Sequence, residues 1–204
     1  MAQNQTAYAA VRTRILAKED ETVPSNESGA AASWLYQACQ QGDTVFATEL
    51  LRLKANINVG YTGNAVQNKG CSPLMVATER GHLDTVKALV AHKANINHQK
   101  QDGATALHAA AQSAYNFTHA QSAMVLAAAK YLLDARADVD LGRFEDDVSP
   151  LFVACDRGHP LVVRCFIFLS LVLFRNTLPA VINVLFHVAV LPLFLFEQRF
   201  LSTT

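Results

Sequence analysis

A pattern of 26 residues recurs four times along this chain, and it carries helix punctuation rather than catalytic groups. Its clearest copy reads Ser72-Pro73-Leu74-Met75-Val76-Ala77, then Gly81-His82, Val86 and Leu89-Val90, and closes Lys93-Ala94-Asn95-Ile96-Asn97. A second copy opens Thr105-Ala106-Leu107-His108-Ala109-Ala110 and closes Leu132-Leu133, then Arg136-Ala137-Asp138-Val139-Asp140. Another opens Ser149-Pro150-Leu151-Phe152-Val153-Ala154 and continues through Gly158-His159 and Val163. The most N-terminal copy is looser: Trp34-Leu35, Ala38, Gly42-Asp43, Leu50-Leu51 and Lys54-Ala55-Asn56-Ile57-Asn58. A chain that repeats itself at this spacing builds one supersecondary unit several times, each too small to bury its own apolar face.

Each residue type answers a local requirement. Ser72 and Thr105 stand where a hydroxyl can cap a helix by accepting a backbone N–H. Pro73 and Pro150 follow at the first helical position, where the missing N–H costs nothing. Gly81 and Gly158 suit the left-handed residue that ends a helix. Val86, Leu89 and Val90, at i, i+3 and i+4, put one apolar stripe on a second helix. Asp102-Gly103 supplies a tight turn into the next unit.

The openings at Ser33, Ser72, Thr105 and Ser149 step by 39, 33 and 44 residues. A period near 33 with this opening resembles the ankyrin repeat, whose signature is T-P-L-H-x-A. The resemblance implies an all-α solenoid of stacked helix-turn-helix units with hairpin-like loops. The units fall at about 33–71, 72–104, 105–148 and a truncated 149–167, within a repeat domain of 31–167. Residues 1–30 read as a tail, with a short helix around Ala7–Ala17 and a polar, disordered stretch from Lys18 to Gly29.

Three departures from the family pattern carry consequences. Lys54, Lys93 and Arg136 replace the usual glycine after the second helix. A non-glycine residue there costs about 1 kcal/mol, of which a cation near the helix C-terminus recovers about 0.3–1 kcal/mol. The third unit is longer by about ten residues, and Thr118 with Gln121 has the form of a capping box. The insertion therefore reads as a lengthened second helix. The first connection, Val59 to Gly70, is longer than usual and glycine-rich, and reads as the most mobile finger.

Composition excludes several functions. Seventeen basic and seventeen acidic side chains leave no net field to attract nucleic acid. Cys39, Cys71, Cys155 and Cys165 show no CxxC spacing, which points to a reducing, cytoplasmic compartment rather than a disulfide framework. The first 30 residues lack the apolar core of a signal peptide. His82, His108 and His159 occupy motif positions where a ring nitrogen bonds backbone. His92, His98 and His119 have no metal-ligand spacing around them, and Glu145-Asp146-Asp147 is far shorter than a calcium loop. The two sequons, at Asn26 and Asn116, would stay unmodified on a cytoplasmic repeat. No phosphate loop, nucleophile elbow or catalytic carboxylate pair emerges, so no enzyme and no cofactor are expected.

What remains is a binding surface. In the family, partners generally dock on the loop tips and on the exposed ends of the first helices. Carried onto this chain, the helix positions are Gln40, Gln41, Glu79, Arg80, Gln112, Ser113, Asp156 and Arg157. The fingers add Tyr61, His98, Lys100, Gln101, Arg143 and Phe144, with Tyr61 and Phe144 as aromatic anchors. The expected function is a monomeric adaptor or scaffold that holds a protein partner.

The C-terminus changes character. From Leu161 to Phe196, 27 of 36 residues are apolar, and Leu178–Phe196 has no formal charge over 19 residues. A bilayer core of about 30 Å needs about 20 such residues in a helix, although Pro179, Asn183, His187 and Pro192 interrupt it. Residues 168–204 therefore fit three readings: a membrane anchor at 178–196 with the repeats facing the cytoplasm, a splice or frame product, or a buried cap.

Overall fold

Ser72 opens its helix as its position requires: the hydroxyl accepts the Met75 N–H at 3.3 Å, and Pro73 takes the first helical position. In the computed structural model the described residues form eight helices: α1 (Ala2–Leu16), α2 (Ala30–Gln41), α3 (Thr44–Arg52), α4 (Pro73–Glu79), α5 (Leu83–Ala91), α6 (Ala106–Ser113), α7 (His119–Asp134) and α8 (Pro150–Asp156). The structure describes residues 2–17, 30–61, 70–113, 119–144, 146–157, 162–164 and 166–167, and these include no strand. Gly158, His159, the capping box at Thr118, Glu145, the polar stretch 18–29, the finger residues 62–69 and the apolar tail 168–204 lie outside them.

Helices α2, α4, α6 and α8 pack side by side in one row, and α3, α5 and α7 in a second row against it. The apolar positions of the repeat make the core between rows. Leu35, Ala38 and Cys39 meet Phe46, Ala47 and Leu50, and Leu74 and Ala77 meet Val86 and Leu89, all buried. The pattern continues through Leu107, Ala110, Leu151 and Ala154 to Val162, Val163 and Phe166. Fully burying each such leucine contributes about 1.5–3 kcal/mol. This is the all-α repeat architecture that the spacing implied.

The departures from the pattern resolve clearly. Lys54, Lys93 and Arg136 have φ of 63°, 69° and 71°, so a cation does hold the left-handed position in all three units. Each closes its helix in the same way. The N–H of Lys93 donates to Val90 and that of Ala94 to Leu89, both at 3.0 Å, the paired bonds that satisfy the last carbonyls. The third unit's second helix, α7, is 16 residues long against nine for α5. Val125, Ala128, Ala129, Leu132 and Leu133 form its buried stripe. Its first turns pass over the α4–α5 turn at Gly81. There φ is +73°, and an added Cβ would lie 2.8 Å from the Val125 backbone nitrogen.

The N-terminal helix differs from its expected form. It starts at Ala2, and it is docked rather than part of a free tail, with Tyr8 and Ile15 buried against the first unit. The Tyr8 ring meets Phe46 edge-on at 5.4 Å and lies 6.1 Å from Trp34. Arg12 pairs with Asp43, whose other oxygen caps α3 by accepting the Phe46 N–H at 3.1 Å. No helix among the described residues is long and apolar enough to cross a membrane, and the stretch 178–196 lies outside them.

Candidate functional site

The repeat leaves two kinds of backbone outside the helical rows: the ends of the first helices and the fingers between units. Both are tied from one unit to the next, and these ties decide which side chains stay available.

The finger ends are stitched by hydrogen bonds. The N–H of Tyr61 donates to Cys71 at 2.9 Å and that of Gly70 to Tyr61 at 3.0 Å, closing the first finger at its base. His98 lies half-buried with Nε2 3.2 Å from the Gly70 carbonyl, which joins the first finger to the second. Gln99 then donates from one amide nitrogen to the carbonyls of Gly103 and Gly142, at 3.0 and 3.1 Å. The Phe144 N–H donates to Asp102 at 3.1 Å, joining the second finger to the third.

Charged side chains stiffen the same loops. Lys100 pairs with Asp102 at 2.9 Å, and Asp102 also accepts the Ala104 N–H at 2.9 Å. Burial opposes ionisation of Asp102, but the Ala104 bond and Lys100 outweigh it and hold the carboxyl below its ordinary range. Arg143 forks onto Asp146, Nε reaching Oδ1 at 3.1 Å. Hydrogen bonding from Arg143 likewise holds Asp146 low.

A second set of ties runs behind the fingers, through the residues that follow each left-handed closure. Asn58 accepts the Asn95 N–H at 2.8 Å, and Asn97 accepts the Asp138 N–H at 2.9 Å. Within each loop the earlier residue caps the later one: Asn56 accepts from Asn58, Asn95 from Asn97 and Asp138 from Asp140. Sequence reasoning gave these residues no role. The signal was present in the alternation Asn-x-Asn, Asn-x-Asn, Asp-x-Asp at equivalent places.

His82 and His108 are spent on structure. His82 Nε2 lies 3.2 Å from the Gln40 carbonyl. His108 is buried: Nε2 lies 2.8 Å from the Val148 carbonyl, while Nδ1 accepts the Thr105 N–H at 3.1 Å. A carbonyl on one nitrogen and a donor on the other fix the neutral, Nε2-protonated ring. Burial lowers its pKa. Thr105 thus differs from Ser72: its hydroxyl lies 3.0 Å from His108 rather than taking a helix N–H. Burial raises the thiols of Cys39, Cys71 and Cys155, the last to about 11, so each is a protonated thiol near neutral pH. Among the described residues no group of three or more His, Cys, Asp or Glu could hold a metal ion.

Against this frame the expected surface residues sort themselves. Gln41, Arg80, Gln101, Gln112, Asp156 and Arg157 are exposed; Gln40, Glu79, Lys100 and Arg143 are half-buried. Tyr61 is not a free anchor, since it stacks on Tyr36 with ring centroids 4.5 Å apart. Phe144 is 67% exposed, on a finger whose backbone is pinned to Asp102. Ser113 is a correction. It is 6% exposed and its hydroxyl donates to Ala109 at 2.7 Å. Where α4 stops at Arg80-Gly81, α6 runs on through Ser113, so that side chain stays on the inner face of the helix.

Residues 35–125 match the family model for ankyrin repeats in three copies. The helix pairs within residues 35–125 are ankyrin repeats. Alpha-latroinsectotoxin-Lt1a of Latrodectus tredecimguttatus is 30% identical over 115 residues, which is 56% of this chain and 7% of that protein. The chain thus spans a small fraction of the length of this relative. Ankyrin repeats are in general protein–protein interaction modules.

Proposed function

We propose that this chain is a non-enzymatic adaptor or scaffold, and that it holds a protein partner on the ends of α2, α4, α6 and α8 together with the fingers. One observation carries the reading: Phe144 is 67% exposed on a finger whose backbone is hydrogen-bonded to the preceding unit. A large aromatic held in water by a fixed backbone is pre-organised for an interface, because little entropy is left to lose on binding. The other exposed candidate residues, Arg80, Gln101, Gln112, Asp156 and Arg157, are polar and of mixed sign, which suits specific pairing rather than collecting one sign of charge. The use of His82 and His108 for backbone bonding, and the protonated buried thiols, fit a module without chemistry of its own. The same thiols fit a reducing, cytoplasmic setting.

Site-specific photo-crosslinking tests this reading. A photoreactive residue at Gln112 or Phe144 should capture a discrete protein from cell extract, whereas one at the exposed Val45 on α3 should not. Equal capture from Val45 would place binding elsewhere. A second reading, a membrane-attached protein with the repeats as a cytoplasmic receptor domain, rests on the uncharged stretch Leu178–Phe196. It predicts carbonate-resistant membrane association that disappears when residues 178–204 are deleted.

A further inference from the structure

We propose that the end face of the first unit, built by Trp34, Asp43 and Phe46, is a helix-docking site and that α1 is its separable occupant. The contact has the form of a helix read in a groove. Tyr8, Val11, Arg12 and Ile15 stand at i, i+3, i+4 and i+7, one stripe of a helix. Tyr8 and Ile15 are buried in the contact and Val11 is half-buried, whereas Ala7, Ala9, Ala10, Thr13 and Arg14 on the remaining surface are exposed.

The receiving face matches this stripe group by group. Phe46 and Trp34 take the Tyr8 ring. Asp43 receives Arg12, and the Tyr8 hydroxyl lies 3.4 Å from the same carboxylate. That carboxylate is fixed independently of α1, because its other oxygen caps α3 through the Phe46 N–H. The site is therefore formed by the repeat itself. Residues 18–29, twelve residues, separate α1 from the unit it binds. They are long enough for the helix to leave and return, or to reach a second copy.

The site accepts a helix with this aromatic, aliphatic and cationic spacing in cis or in trans. A fluorescent peptide of residues 2–17 tests this on the full chain. Tyr8→Ala with Ile15→Ala should weaken the chain's own helix, and the peptide should then bind this variant saturably, about tenfold tighter than it binds the unaltered chain, where α1 competes. Adding Asp43→Ser keeps a capping oxygen for α3 but removes the charge facing Arg12, and should weaken peptide binding about tenfold. Hydrogen exchange on the unaltered chain supplies a readout that needs no variant: α1 amides should exchange faster than those of α4 and α6. A dimer that forms by exchange of α1 between copies would also support the site. Absence of saturable binding to the double variant, indifference to Asp43→Ser, or α1 protection equal to that of α4 would overturn the proposal.

Discussion

The side-chain oxygen of Asn58 accepts the backbone N–H of Asn95 at 2.8 Å, and the same bond joins Asn97 to Asp138 in the next unit. Consecutive units are thus held by a carboxamide as well as by helix packing. Asn97→Ala should cost about 0.5–1.5 kcal/mol, the net value of an ordinary hydrogen bond. Asn97→Asp, which keeps the acceptor, should cost less. Urea midpoints of the two variants decide the matter, and equal losses would show that the oxygen is not what the site uses.

Leu89 and Leu107 are both essentially fully buried, on α5 and α6. Truncating either to Ala removes contacts that neighbouring units make together, and should cost about 2–5 kcal/mol. A loss below about 0.5 kcal/mol at either position would contradict the stacking described above.

The neutral ring of His108 makes stability depend on pH. Burial depresses its folded pKa below the ordinary 6.5, so the unfolded chain binds the proton more readily. The stabilisation is present above 6.5 and is lost as the pH falls from there through the folded value. Chemical denaturation should show stability declining from pH 7 to pH 5, and His108→Asn should flatten that decline while lowering stability at pH 7. A slope unchanged in His108→Asn would assign the effect to other groups.

Lys93 holds φ of 69° at the helix closure. Lys93→Gly should leave stability unchanged or raise it by up to about 1 kcal/mol, since glycine adopts that region without a Cβ clash. Lys93→Val should lower it by more than about 1 kcal/mol, because a branched Cβ there is strained further. Thermal midpoints of the pair, compared with the unaltered chain, measure the difference.

Reversing the charges of Glu79 and Arg80 should weaken a captured partner while leaving the circular dichroism melting curve in place. Both residues lie at the end of α4 and neither is fully buried. Equal loss of fold and binding would give these residues a structural role instead.

The parts of the fold legible in advance were those written locally. Ser72-Pro73 with Gly81, and Lys93-Ala94 after Leu89, specify a helix start, a turn and a closure within one unit, with no help from distant residues. The lengthened α7 was readable for the same reason. What escaped notice depends on residues far apart in the chain. Arg12 and Asp43 meet across 31 positions, Asn97 and Asp138 across 41, and neither partner alone shows why it is there. Among the candidate binding residues, Ser113 failed because it ends α6 as a helical residue whose hydroxyl turns back onto the Ala109 carbonyl, a contact that the polarity of the residue does not announce. Tyr61 was recognised as an aromatic finger residue, but its stacking on Tyr36 could only be seen in three dimensions.

The overhang of α7 across Gly81 couples two units that would otherwise meet only along their sides. Loss of order in the third unit would strip cover from the turn of the second, so a break cannot stop at the boundary between them. The middle of the array should therefore melt as one block, and any fraying should begin at its ends.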